Sequence, residues 1–268
     1  MLAGGCLLPG RGRPVLMPDL PLHRFRRLDG VELAWREVGA GRPFVLLHGL
    51  MGGGARLADQ GLVAALAEHG YRVILPDLRG HGDSGRPHDP ACYPPDILAD
   101  DVLALVGHLG LEDYDLGGYS MGGKLVLRLL ARDARPAHAV VGGQGLDALD
   151  AESDRTDGHR RILAAVASGA VPPAGSPEEP MAAWIRQSGV DPRAVGFVLG
   201  TFVATPADAL RPVTVPTLVI VGDRDSRGAT ADSLAALLPQ GRLVVVPGDH
   251  ATAPAATEFT TAILEFLD

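Results

Sequence analysis

Lysine is nearly missing from this chain: Lys124 is the single one in 268 residues, and arginine carries the rest of the positive charge. No Lys/Arg block occurs anywhere, and 24 basic residues face 32 acidic ones for a net charge of −8. A nucleic-acid binder needs a basic footprint, so that class is excluded. Cysteine is equally scarce. Cys6 and Cys92 make neither a disulfide framework nor a metal-ligand pattern. No apolar run approaches the roughly 18 residues that cross a bilayer, so no membrane span is expected. Aromatic residues are 4% of the chain, which leaves few large flat side chains to line a pocket.

What remains is ordinary globular material. Apolar residues make up 46% and charged residues 21%. The length suits one large domain, with room for an inserted subdomain. Leu2-Ala3-Gly4-Gly5-Cys6 has the look of a lipoprotein cleavage box, but nothing basic or long and apolar precedes it. Residues 1–20 therefore read as a loose Gly- and Pro-containing extension, with Met17 a candidate start. The expected location is cytoplasmic.

From Phe25 the pattern becomes strand-like. Phe25 to Leu28 and Val31 to Val38 flank Asp29-Gly30, a hairpin signal. Short apolar runs follow at Phe44–Leu47, Val73–Leu75, Leu116–Tyr119, Ala139–Val141, Leu218–Val221 and Leu243–Val246. They are nearly continuous instead of alternating, as in parallel strands covered on both faces. Between them lie helical periods, such as Leu98, Val102, Leu105, Val106 and Leu109, or Phe259, Ile263, Phe266 and Leu267. Strand and helix in alternation predict an α/β fold, with a mostly parallel central sheet that starts antiparallel. Residues 21–145 and 212–268 form that core. The stretch 146–211 breaks the rhythm: helical patterns at Asp157–Ala167, around Trp184 and at Arg193–Val203 surround a Pro/Gly-rich segment. It reads as a helical cap over the sheet, part of which must return the chain to the next strand.

Gly118-Tyr119-Ser120-Met121-Gly122 joins a strand run to a helical one, Leu125 to Leu130. A serine between glycines at such a junction is the sequence form of a nucleophile turn that pushes the hydroxyl out of the backbone. A serine hydroxyl needs a base, and neutral histidine is suited to it near pH 7. Of nine histidines, His48, His81, His88 and His250 follow strands and so reach the carboxyl edge of the sheet where Ser120 lies. His48 and His81 lie in glycine-rich turns that more plausibly shape backbone, and His250, after the last strand, is the best-placed base. The base needs a carboxylate to fix its tautomer. Asp225 in Gly222-Asp223-Arg224-Asp225 is the choice, with Asp223 and Asp147 as alternatives. Two backbone N–H groups, of Met121 and Leu50, are the expected donors to a developing oxyanion. Leu50 belongs to the glycine-rich loop His48–Gly54.

Leu47-His48-Gly49, Asp77-Leu78-Arg79-Gly80-His81-Gly82-Asp83-Ser84, Gly118-Tyr119-Ser120-Met121-Gly122-Gly123, Gly222-Asp223-Arg224-Asp225 and His250 occur together and in this order. In this set the chain resembles the α/β-hydrolase fold superfamily, in its esterase/lipase-like branch with a helical cap. Asp249 stands where such proteins more often have Gly before the histidine. The resemblance implies a structural role for the Arg79–Ser84 turn. It also implies a serine hydrolase cleaving a carboxylic ester through an acyl-enzyme on Ser120, with no cofactor and no metal. C–C bond hydrolases, thioesterases, cofactor-free perhydrolases and hydrolase-like ligand-binding proteins share the pattern. Haloalkane dehalogenases and epoxide hydrolases use an aspartate nucleophile, which Ser120 argues against. The partner is then a small-molecule ester, and the protein a monomer or homodimer. Leu50, Met51, Met121, Trp184, Phe197 and Phe202 are the expected pocket walls.

Overall fold

The computed structural model describes residues 20–151 and 154–268. The extension expected over residues 1–20, with Cys6 and Met17, lies outside the described residues except for Leu20. Eight strands, β1 (Leu22–Arg26), β2 (Glu32–Val38), β3 (Arg42–Leu47), β4 (Tyr71–Asp77), β5 (Asp115–Tyr119), β6 (Ala139–Gly142), β7 (Thr217–Gly222) and β8 (Gly241–Val246), form one sheet. Its order is β1-β2-β4-β3-β5-β6-β7-β8. β1 pairs antiparallel with β2, and β2 with β4; every other neighbour is parallel. The Asp29-Gly30 turn joins β1 to β2, where Gly30 takes a φ of 86°.

In β3 to β7 the apolar runs are covered on both faces, which separate by residue parity; the run in β8 lies at the sheet edge, where Val245 is exposed. Val45, Leu47, Ile74, Leu116, Val141, Val219 and Val221 pack on one side, against α3 (Ile97–His108) and α4 (Met121–Ala131). Phe44, Leu46, Val73, Leu75, Val140, Leu218 and Ile220 pack on the other. There they meet Leu62 and Leu66 of one helix and Phe259 and Ile263 of the last one. Two short helices, Gly54–Ala58 and Gly61–Glu68, lie between β3 and β4. Each fully buried aliphatic side chain contributes about 1.5–3 kcal/mol, so this two-sided core is the main stabilising term.

Between β6 and β7 the described residues contain no strand. They hold helices Asp154–Ala167, Glu179–Gln187, Pro192–Val198 and the single turn Ala207–Leu210. The first three share a small apolar cluster of their own, Leu163, Ile185, Val195 and Leu199, against which Leu50, Met51 and Phe202 pack. That contact joins the insert to the loop after β3, over the carboxyl edge of the sheet.

One polar cluster fixes the opposite rim of this edge. Arg79 is fully buried and donates through Nε and Nη2 to Asp101, at 2.8 and 3.0 Å, and through Nη1 to the Cys92 carbonyl at 2.6 Å. Asp29 of the hairpin lies 2.6 Å from the same guanidinium. Burial pushes the Asp101 carboxyl up from its ordinary value, against the pull of Arg79 and Arg27.

Candidate active site

β5 ends at Tyr119 and α4 begins at Met121, so Ser120 alone makes the turn. Its backbone has φ 58° and ψ −118°, a conformation that an L-residue holds at a cost of about 1–3 kcal/mol. The flanking glycines make the turn sterically feasible. A Cβ on Gly118 would lie 2.3 Å from the Gly122 carbonyl carbon, and one on Gly122 would lie 2.2 Å from the Leu47 carbonyl oxygen. Backbone of β3, β5 and α4 therefore meets without side chains between, and Oγ of Ser120 is left facing the space above the sheet.

The loops after β7 and β8 bring the other two groups. His250 Nε2 is 2.9 Å from Ser120 Oγ, and its Nδ1 is 2.7 Å from Asp225 Oδ2. Because a carboxylate only accepts, Nδ1 carries the proton and Nε2 is free to receive one from the hydroxyl. Asp225 is buried, and its Oδ1 accepts from the Arg227 backbone N–H at 2.9 Å. The alternatives are engaged elsewhere. Asp223 accepts from the Gly248 N–H at 2.8 Å, tying the two loops together, and Asp147 pairs with Arg155. The remaining candidate histidines are occupied too. His48 Nε2 accepts from the Leu78 N–H at 3.0 Å, and His81 Nε2 lies 2.7 Å from the Leu50 carbonyl. His88 meets Asp191 at 2.8 Å. Burial, with His81 beside it, lowers His48 to about 3, so its ring stays neutral.

Leu50 and Met121 border the same cavity as Ser120, and the His81 contact to the Leu50 carbonyl holds that loop in place. The cavity, about 680 Å³, is also walled by Met51, Met181 and Phe202. Two expected wall residues are not there. Phe197 turns towards the sheet and meets Tyr93 with ring centroids 5.5 Å apart. Trp184 faces outward, with the Arg56 guanidinium 4.7 Å from its ring. Ala182 and Ile185 form the buried face of that helix, and Trp184 lies on the opposite side of it.

Three residues the sequence reading passed over complete the site. Tyr119 donates its hydroxyl to the His250 carbonyl at 2.8 Å and lays its ring against the imidazole. Gln144, from the loop after β6, donates to the Ser120 carbonyl. Arg227 Nη1 donates to Ser120 Oγ at 3.0 Å. A hydroxyl has one proton and two lone pairs, so it can donate to His250 while accepting from Arg227. The guanidinium has a cost for the base: burial lowers the pKa of His250 and the positive charge of Arg227 lowers it further, while Asp225 opposes both. Only the tight Gly-x-Ser turn could have pointed to Tyr119; nothing in the local sequence signals Gln144 or Arg227.

Among the described residues, no cluster of three or more His, Cys, Asp or Glu could hold a metal ion, and no helix is long and apolar enough to cross a membrane.

Comparison with known proteins places the chain in a family. A family model described as alpha/beta hydrolase fold matches residues 42–161. A non-heme haloperoxidase of Rhodococcus erythropolis is 33% identical over 252 residues, covering 82% of this chain and 89% of that protein. The AB hydrolase superfamily protein YisY of Bacillus subtilis is 38% identical over 110 residues, 41% of this chain and 40% of that protein. An esterase from Thermogutta terrifontis superposes with a TM-score of 0.66 at 27% identity, over 91% of this chain and 98% of that one.

Proposed function

Because the chain belongs to the α/β-hydrolase fold superfamily, whose members similar to it include esterases and haloperoxidases, we propose that it is a serine hydrolase of carboxylic esters. The observation that carries this reading is the single line of contacts Asp225–His250–Ser120, at 2.7 and 2.9 Å. His250 takes the proton of Ser120 as Oγ attacks the ester carbonyl. The resulting imidazolium is held by Asp225 and returns the proton to the leaving alcohol. Water then attacks the acyl-enzyme by the same route, releasing the acid and restoring Ser120. The N–H groups of Leu50 and Met121 serve the oxyanion, and the start of α4 at Met121 adds a favourable helix dipole. Residues 146–211 act as a cap, with Met51 and Phe202 against the acyl chain.

The haloperoxidase relative favours a second outcome for the same acyl-enzyme. Hydrogen peroxide in place of water would attack the acyl carbon and leave as a peracid. Labelling with a fluorophosphonate, followed by peptide mass spectrometry, tests the nucleophile: a phosphonyl group on Ser120 is expected, and an unlabelled Ser120 in folded protein overturns the reading. Peracid formation from acetate ester and peroxide, compared with hydrolysis of that ester, separates the two outcomes.

A further inference from the structure

The guanidinium beside the nucleophile is only partly neutralised: Asp225 and Asp147 act on it without touching it. Arg227 lines the cavity and is half-buried, and its side chain has no carboxylate within ion-pair distance among the described residues. Asp225 and Asp147 act on the Arg227 guanidinium from beyond contact, Asp225 being turned to His250 through Oδ2 and accepting from the Arg227 backbone N–H through Oδ1. Asp147 is held by Arg155, the other arginine of the wall. Lys124, also on the wall, donates to the Asp150 carbonyl and lies 5.2 Å from the Phe202 ring centre. His159 adds no charge, because burial and the nearby Arg227 keep its pKa low. Among the described residues of this wall, Arg155 takes up Asp147, and Arg227 is left in contact with Ser120 and with no carboxylate.

This arrangement makes protonation of His250 harder unless something neutralises the cation. Both half-reactions form an imidazolium at His250, and a cation within contact of Ser120 Oγ disfavours it. Resting on the ester-hydrolase reading, we propose that Arg227 is a specificity-determining residue that binds a carboxylate carried by the acyl part of the substrate, so that the preferred substrates are monoesters of short dicarboxylic acids. The acyl part is required because the imidazolium forms twice, and only a charge that stays on the enzyme through acylation offsets Arg227 both times. Its position is set by geometry. One donor of the guanidinium touches Oγ, which bonds to the acyl carbon, so an anion on the remaining donors of the rigid fork lies roughly two or three carbons from that carbon.

The test compares methyl hydrogen succinate with its uncharged amide, methyl succinamate, as substrates of wild type, Arg227→Gln and Arg227→Lys. In wild type kcat/KM should favour the acid by about ten- to a hundredfold, the range for one charge-assisted contact. Arg227→Gln should collapse that ratio towards one, with the acid losing mainly through KM. Arg227→Lys should keep part of it. A wild-type ratio near one, or a ratio that Arg227→Gln leaves unchanged, overturns the proposal while leaving ester hydrolysis standing. If instead wild type turns over neither these esters nor p-nitrophenyl acetate and Ser120 is unlabelled, the ester-hydrolase reading has failed. The anion site is then decided by titration calorimetry with glutarate: binding lost in Arg227→Gln upholds the site, and equal or absent binding in both proteins overturns it.

Discussion

At the scale of single residues, the site depends on which atom holds a proton. His250 titrates below its ordinary 6.5, through burial first and Arg227 second. As the proposed base it must be neutral, so activity should be present above that lowered pKa and lost as pH falls through it. The acid limb of kcat/KM should therefore lie below pH 6.5, a lower position than an unperturbed histidine gives. Arg227→Gln removes a cation that disfavours the imidazolium, and should move the limb upward; a limb that stays put would show that Arg227 does not act on His250. Ser120→Ala should lower kcat by about four to six powers of ten, and Asp225→Asn by about four, through loss of the tautomer that Asp225 selects. Stopped-flow rates on p-nitrophenyl butyrate measure both. Ser120, His250 and Asp225 were legible because each sits next to a strand end flanked by turn residues. Arg227 and Gln144 were not, since their roles come from contacts to Ser120 across more than 20 residues of sequence. Trp184 was misread because a residue's size does not reveal the phase of its helix.

At the scale of elements, the six apolar runs and the Asp-Gly hairpin foretold all eight strands to within a few residues. Strands in the middle of the sheet, covered on both faces, have few polar positions to confuse the pattern, and the exposed edge strand β1 was marked by its hairpin turn instead. The helices Gly54–Ala58, Gly61–Glu68 and Ala231–Leu237 escaped notice. They are short and rich in Ala and Gly, so only a few larger apolar side chains, such as Leu62, Val63 and Leu66, mark their buried faces. The junction of β3, β5 and α4 makes the most exacting demand on sequence. Gly122→Ala places a methyl against the Leu47 carbonyl, and should cost about 1–3 kcal/mol of stability by overpacking. Urea unfolding measures that cost. Activity should fall by more than stability explains, because the displaced segments carry Ser120 and lead into the Leu50 loop. A variant as stable and active as wild type would mean that β3 and α4 can separate freely.

For the molecule as a whole, distant segments are fastened by buried charge as well as by the two apolar layers. Arg79 joins the hairpin turn at Asp29, the carbonyl of Cys92 and helix α3 through Asp101. Arg79→Met strands the Asp101 carboxylate, with only Arg27 left beside it, and should destabilise the fold by about 3–5 kcal/mol. Near-normal kcat in the surviving folded protein is expected, since Arg79 does not touch the cavity. In the proposed mechanism, three loops from separate strands converge to make Ser120 a nucleophile that carries the acyl group. Rapid-quench mass spectrometry during turnover of p-nitrophenyl butyrate examines it directly. A butyryl group is expected on the peptide containing Ser120 within the first turnover, and none in Ser120→Ala. Sustained hydrolysis with Ser120 unacylated throughout would contradict that mechanism.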